Sequence, residues 1–162
     1  MRECGECTAC CEGWVEDRLE VAGQVIEMYP SKPCDHCTGS GCAIYEDRPE
    51  DPCRTFNCVW LQNEAEFPED MRPDRSGAIV LAGRPWREWE VFQATPVGAE
   101  IPPETLERLR IYTQQKEVPL VFYEREVVDG RFTGNGRQRA FGSEQFAEAV
   151  KNQVLASDVV KF

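Results

Sequence analysis

The chain has one histidine, His36, and no cysteine after Cys58. It also has no apolar run near the roughly 18 residues that a bilayer-spanning helix needs. The opening residues MRECGECTACCEGW hold no apolar stretch of the kind a secretory signal requires. The expected location is therefore the cytoplasm, where thiols stay reduced. Positive charge is scarce, with 18 Lys and Arg against 29 Asp and Glu, a net charge of −11. That balance repels a phosphate backbone or an anionic membrane surface, so neither nucleic acid nor membrane is an expected partner. Protein partners cannot be read from the sequence.

With a single histidine there is no Ser/His/Asp arrangement, and no base stands ready to activate a cysteine nucleophile. No glycine-rich loop follows a strand, so no phosphate cradle is read. Acidic pairs such as Glu64–Glu66 and Glu69–Asp70 lie in a charged connector without an apolar wall to raise a pKa. They read as solvated surface. An enzymatic role would have to come from a metal with an open coordination position, three protein ligands and water. Whether the chain is an enzyme stays open.

What the chain does have is nine cysteines: Cys4, Cys7, Cys10, Cys11, Cys34, Cys37, Cys42, Cys53 and Cys58. A disulfide framework would span the chain and favour an even count. This set is local and odd in number, which in a reduced compartment reads as metal binding. All nine are candidate metal ligands. The spacing Cys4-x-x-Cys7-x-x-Cys10-Cys11 lets pairs of sulfurs reach one ion while the intervening amides hydrogen-bond to them. Cys34-x-x-Cys37-x4-Cys42 and Cys53-x4-Cys58 add two further groups. Adjacent Cys10 and Cys11 leave the backbone in different directions, so they can serve two sites, or one can be non-ligating. Thiolate-only ligation suits zinc, with iron or an iron–sulfur cluster as the alternative. The run departs from the ferredoxin pattern, since Cys11 follows Cys10 directly and no proline follows. His36 is a candidate ligand or a loop residue. Arg48 and Arg54 are candidates to donate to thiolates, or to pair with Glu46, Asp47 or Glu50. Tyr45 is read as packing over the site or in the core, and Trp14, Trp60, Trp86 and Trp89 as core.

The expected fold is α+β: a metal-organised cysteine-rich N-terminal segment, residues 1–62, packed on a small mixed α+β body, residues 63–162. One integrated domain is the other reading. At 41% apolar residues a chain this long buries a real core, roughly 70% of its unfolded surface. Cys4–Trp14 reads as one short helix, with Cys4, Cys7 and Cys11 within about 60° on one face and Cys10 flanking. Residues 19–28 read as a strand pair or a short helix, and 30–41 as a loop. Asp51–Leu61 reads as a helix capped by Asp51 with Pro52 first. Strands are expected at Ser76–Ala82 and Glu88–Thr95, and one strand or two across Val118–Arg125 and Glu126–Phe132, with an Asp129-Gly130 turn. Helices are expected at Pro102–Lys116, with Ile101, Leu106, Leu109 and Tyr112 in one stripe, and from Ser143, with Phe146, Val150 and Val154 on one face.

The cysteine blocks Cys4–Cys11 (CGECTACC) and Cys34–Cys58 (CDHCTGSGCAIYEDRPEDPCRTFNC), with Trp60-Leu61, resemble the YkgJ-type cysteine-cluster family of CxxCxxCC zinc- or iron-chelating domains. The shared elements are Cys7-x-x-Cys10-Cys11, Cys42-Ala-Ile-Tyr45, Arg48-Pro49 and Cys53-Arg54. The resemblance covers roughly residues 3–62 and extends toward Arg72-Pro73-Asp74-Arg75. It implies metal chelation. Some members carry the motif within a flagellin lysine methylating enzyme. That activity is not expected here, because the chain has no methyltransferase cofactor motif. Residues 63–162 gain nothing from the likeness.

Overall fold

A computed structural model describes residues 2–150 and 159–161. The fold is mixed α+β with two sheets. The small sheet is a hairpin, β1 (Asp17–Val21) and β2 (Gln24–Met28). Its two central residues, Ala22 and Gly23, both have positive φ, which matches the right-handed twist of a tight antiparallel pair. The open reading of residues 19–28 thus resolves to a strand pair.

The large sheet has the order β3-β4-β5-β6-β7. Its strands are β3 (Ala78–Trp86), β4 (Trp89–Pro96), β5 (Leu120–Val128), β6 (Arg131–Gly142) and β7 (Val159–Lys161). β3–β4 and β5–β6 are antiparallel hairpins, whereas β4 and β5 run parallel. A parallel pair needs a crossover. It is supplied by the helix Pro103–Gln115, which buries Thr105, Leu109 and Thr113. Alternation along β5 sends Leu120 and Phe122 into the main core and Val121 into a second one. The second core is closed by the helix Glu144–Val150 through Phe146 and Val150. Ser143 caps that helix, its hydroxyl accepting from the Phe146 amide at 3.1 Å. Val154, expected on the same face, lies outside the described residues. Full burial of side chains such as Phe122 and Phe146 contributes about 1.5–3 kcal/mol each.

The main core crosses residue 62. Ala9, Val59, Trp60 and Leu61 share it with Ile79, Phe92 and Leu120. Two arginines fasten the first region to the second. Arg125 donates to the carbonyls of Pro96, Gly98 and Trp14 at 2.7, 2.8 and 2.6 Å. Arg2 donates to the carbonyls of Trp60 and Phe67. The acidic connector ties to the crossover helix at its surface. Glu66 meets Lys116 and Tyr112, and Asp70 meets Arg108. Lys116 first, then Asn63 and Tyr112, hold the exposed Glu66 carboxyl below its ordinary range.

Three local expectations need correction. Cys4–Trp14 is not one helix: a turn closes Cys4 to Cys7, and a separate wide turn spans Cys10–Trp14 with Gly13 at φ 89°. Asp51–Leu61 is not one helix either. Asp51 is extended (φ −110°, ψ 127°), a wide turn covers Glu50–Arg54, and helix begins only at Val59–Gln62. Asp51 spends its carboxylate on the Thr55 hydroxyl and caps no backbone amide. Finally, the last hairpin is longer than expected. Asp129 and Gly130 do turn, with φ 50° and 75°, but β6 then continues to Gly142.

Candidate metal centre

The cysteine segment is built from turns rather than from regular elements. The Cys4–Cys7 turn is closed by the Cys7 amide on the Cys4 carbonyl at 2.9 Å. The loop of residues 34–42 is closed by the Cys37 amide on the Cys34 carbonyl at 2.9 Å and by an antiparallel backbone β-bridge between Cys37 and Cys42. The two blocks join where the Cys34 amide donates to the Cys11 carbonyl at 2.7 Å. Cys58 stands at the start of the helix Val59–Gln62, whose own side chains Val59, Trp60 and Leu61 are buried and fix it in place.

All nine cysteines are free thiols. Seven of them, Cys4, Cys7, Cys10, Cys11, Cys42, Cys53 and Cys58, line one cavity of about 100 Å³. Cys34 and Cys37 do not line it, but both lie close enough to Cys11 to act on its thiol. Two neighbourhoods are visible. Cys10 adjoins Cys58, Cys7, Cys11 and Cys4, while Cys11 adjoins Cys37, Cys42, Cys34 and Cys4. Cys53 falls in the second, beside Cys34 and Cys42. Cys10 and Cys11 thus differ in most of their thiol neighbours, with Cys4 common to both. As the side chains stand, no three His, Cys, Asp or Glu groups among the described residues converge on a single ion position. The His36 ring is not in the cavity wall.

Burial dominates the thiols' electrostatics. It pushes Cys7 up to about 11 and Cys11 up to about 12, and it pushes Cys10 well up. Neighbouring thiols add to this. Backbone amides offset it in part: those of Ala9 and Asp74 at Cys7, and those of Leu61 and Trp60 at Cys58. Asp74 is a neighbour that the sequence reached only through the resemblance, which extends toward Arg72-Pro73-Asp74-Arg75. It is the second residue of the short helix Pro73–Ser76 and pairs with Arg72 through two oxygens at 2.7 and 2.8 Å. Asp74 itself is exposed, and a long-range contact that cysteine spacing does not signal brings it to Cys7.

These shifts fix the pH behaviour of the metal-free, reduced protein. The folded pKa values lie above the 9.0 of a free thiol, so the unfolded chain loses protons first as pH rises. Stability should be level below about pH 9 and should fall as pH climbs toward the folded values. Thermal melts of chelator-stripped protein, from about pH 7 to about pH 11, check this. A melting temperature unchanged across that range would show that the thiols are not buried as described.

Arg48 and Arg54, indistinguishable by sequence, part company in space. Arg54 donates to the carbonyls of Arg48 and Glu46 and so braces the loop. Arg48 lies with its guanidinium 3.7 Å from the centre of the Tyr45 ring, in the cavity wall. Its Nε and Nη1 are buried without a hydrogen-bond partner, and so is Nε1 of Trp60, in the same wall. Trp60 is core as expected, and Trp86 and Trp89 pack on Phe146 at 5.7 and 5.1 Å. Among the described residues no helix is long and apolar enough to cross a membrane.

A wall of many thiols, with buried N–H donors left unpaired, matches a soft, thiolate-bound metal whose sulfurs accept hydrogen bonds. The chain matches no known protein family model, no curated protein and no solved structure.

Proposed function

We propose that this chain is a metal-binding protein that chelates zinc or iron through its N-terminal cysteine cluster, in the manner of the YkgJ-type domains it resembles. The single observation that carries the reading is the cavity shared by seven thiols. Free cysteines that merely pack need share no cavity, whereas seven of these line the same one. Nine free thiols also suit a reducing compartment, the cytoplasm.

The number of thiols argues against a single ion. A lone zinc ion takes four sulfurs at about 2.3 Å, and an iron–sulfur cluster is likewise held by four cysteines. Seven thiols around one cavity exceed either shell. Two four-cysteine zinc sites are the first arrangement that fits, and an iron–sulfur centre with a redox or electron-transfer role is the second. The ligand thiols must ionise, so loading releases protons and weakens as pH falls.

Elemental analysis of anaerobically purified protein, with acid-labile sulfide and a visible spectrum, tests both levels. Stoichiometric zinc or iron is the expected result, and acid-labile sulfide in a brown protein that bleaches on reduction would mark the iron–sulfur form. Colourless protein with stoichiometric zinc would keep the chelator and remove the cluster. Negligible zinc and iron would end the metal reading.

A further inference from the structure

We infer that Arg48 is a positioning residue of the cysteine centre, with its Nε–H and Nη1–H held for sulfur acceptors that exist only once metal has ionised the thiols. The inference rests on the metal reading above and adds a residue with a defined task. Three observations converge on it. Nε and Nη1 of Arg48 are both buried without a hydrogen-bond partner, whereas Arg125 and Arg139 each leave only Nε so. The guanidinium lies close enough to Cys4, Cys42 and Cys53 to interact with all three. Its Cζ sits over the Tyr45 ring, 3.7 Å from the centroid, which anchors the fork before any ligand is present.

The bland alternative was an ion pair with Glu46, Asp47 or Glu50. No such pair forms among the described residues, and Glu46 and Glu50 serve the loop through backbone carbonyls instead. A neutral S–H accepts hydrogen bonds poorly, whereas a thiolate or a bridging sulfide accepts them well. The guanidinium thus matches the loaded centre and is mismatched to the empty one. Its positive charge also offsets part of the negative charge that several thiolates bring into a buried site.

The test uses full-length wild type, R48Q and R48K, purified anaerobically, with release of the bound zinc or iron to EDTA as the readout. Arg48→Gln should lose metal 10–100-fold faster, the range expected when a partner of metal ligands is removed. Arg48→Lys should recover part of the loss, keeping the charge without the fork. A second measurement separates this from a structural role: R48Q should lower the melting temperature more in the metal-loaded protein than in the metal-free one, where only the contact with Tyr45 is lost. Equal release rates in R48Q and wild type, or equal losses of melting temperature with and without metal, would overturn the inference while leaving metal binding intact. Wild type with no zinc or iron would overturn both.

Discussion

Cys10→Ser should strip the protein of most of its metal and lower its melting temperature by more than Cys34→Ser does. Cys10 sits among four other thiols, with Cys58, Cys7, Cys11 and Cys4 all acting on it. Serine is a hard and poorly ionised ligand, so it does not replace a thiolate at a soft metal. In a structural metal site the binding free energy, about 10–16 kcal/mol in small zinc domains, is also folding free energy. A hydroxyl left unpaired at that depth adds a cost of about 1–3 kcal/mol even without metal. Metal analysis and thermal melts of the variant are the checks, with Cys34→Ser as the control. Cys34 stands outside the cavity wall, so its loss should be the milder one. Equal metal content in C10S and wild type would refute the central place given to Cys10.

Gly13→Ala should destabilise the protein by about 2–5 kcal/mol, as a left-handed backbone penalty and an overpacking penalty combined. Gly13 closes the Cys10–Trp14 turn with φ 89°. A Cβ there would stand 2.2 Å from the Tyr29 carbonyl oxygen and 2.5 Å from its carbon. Both are backbone atoms, held by the paired Tyr29 and Lys32 hydrogen bonds at 3.0 and 2.7 Å, so they cannot swing aside. The turn that presents Cys10 and Cys11 would have to lift away from the Tyr29 turn. Gly5→Ala separates the two contributions, because Gly5 also has positive φ, 56°, but open space around it. Denaturant melts of both variants check the prediction. If G13A costs no more than G5A, the close approach to Tyr29 carries no weight.

The parts of the fold that local chemistry dictates were legible. The crossover helix follows from its Pro103 start and the stripe through Ile101, Leu106, Leu109 and Tyr112, all of which pack on the main core. The Asp129-Gly130 turn follows from residue types that tolerate positive φ. The failures have local causes too. The strand Arg131–Gly142 carries RFTGNGRQR, mostly exposed and rich in glycine and charge, so no alternation marks it. Its pairing with β5 is a tertiary fact. The Cys4–Trp14 stretch satisfies helical spacing, yet Gly5 and Gly13 break it into turns, and the spacing that fits a helix face also fits sulfurs gathered by loops.

By itself the sequence determined the chemistry on offer: soft thiol donors confined to the first 58 positions, and one histidine. Composition and spacing settle that, because donor type belongs to the residue and not to its surroundings. Only the tertiary structure decided which thiols share a cavity, that Cys10 and Cys11 differ in most of their thiol neighbours, and that Arg48 turns inward while Arg54 braces a loop. Those outcomes depend on how Cys58 and its helix dock in the core and how the loops close on one another. Such long-range contacts leave no trace in local spacing.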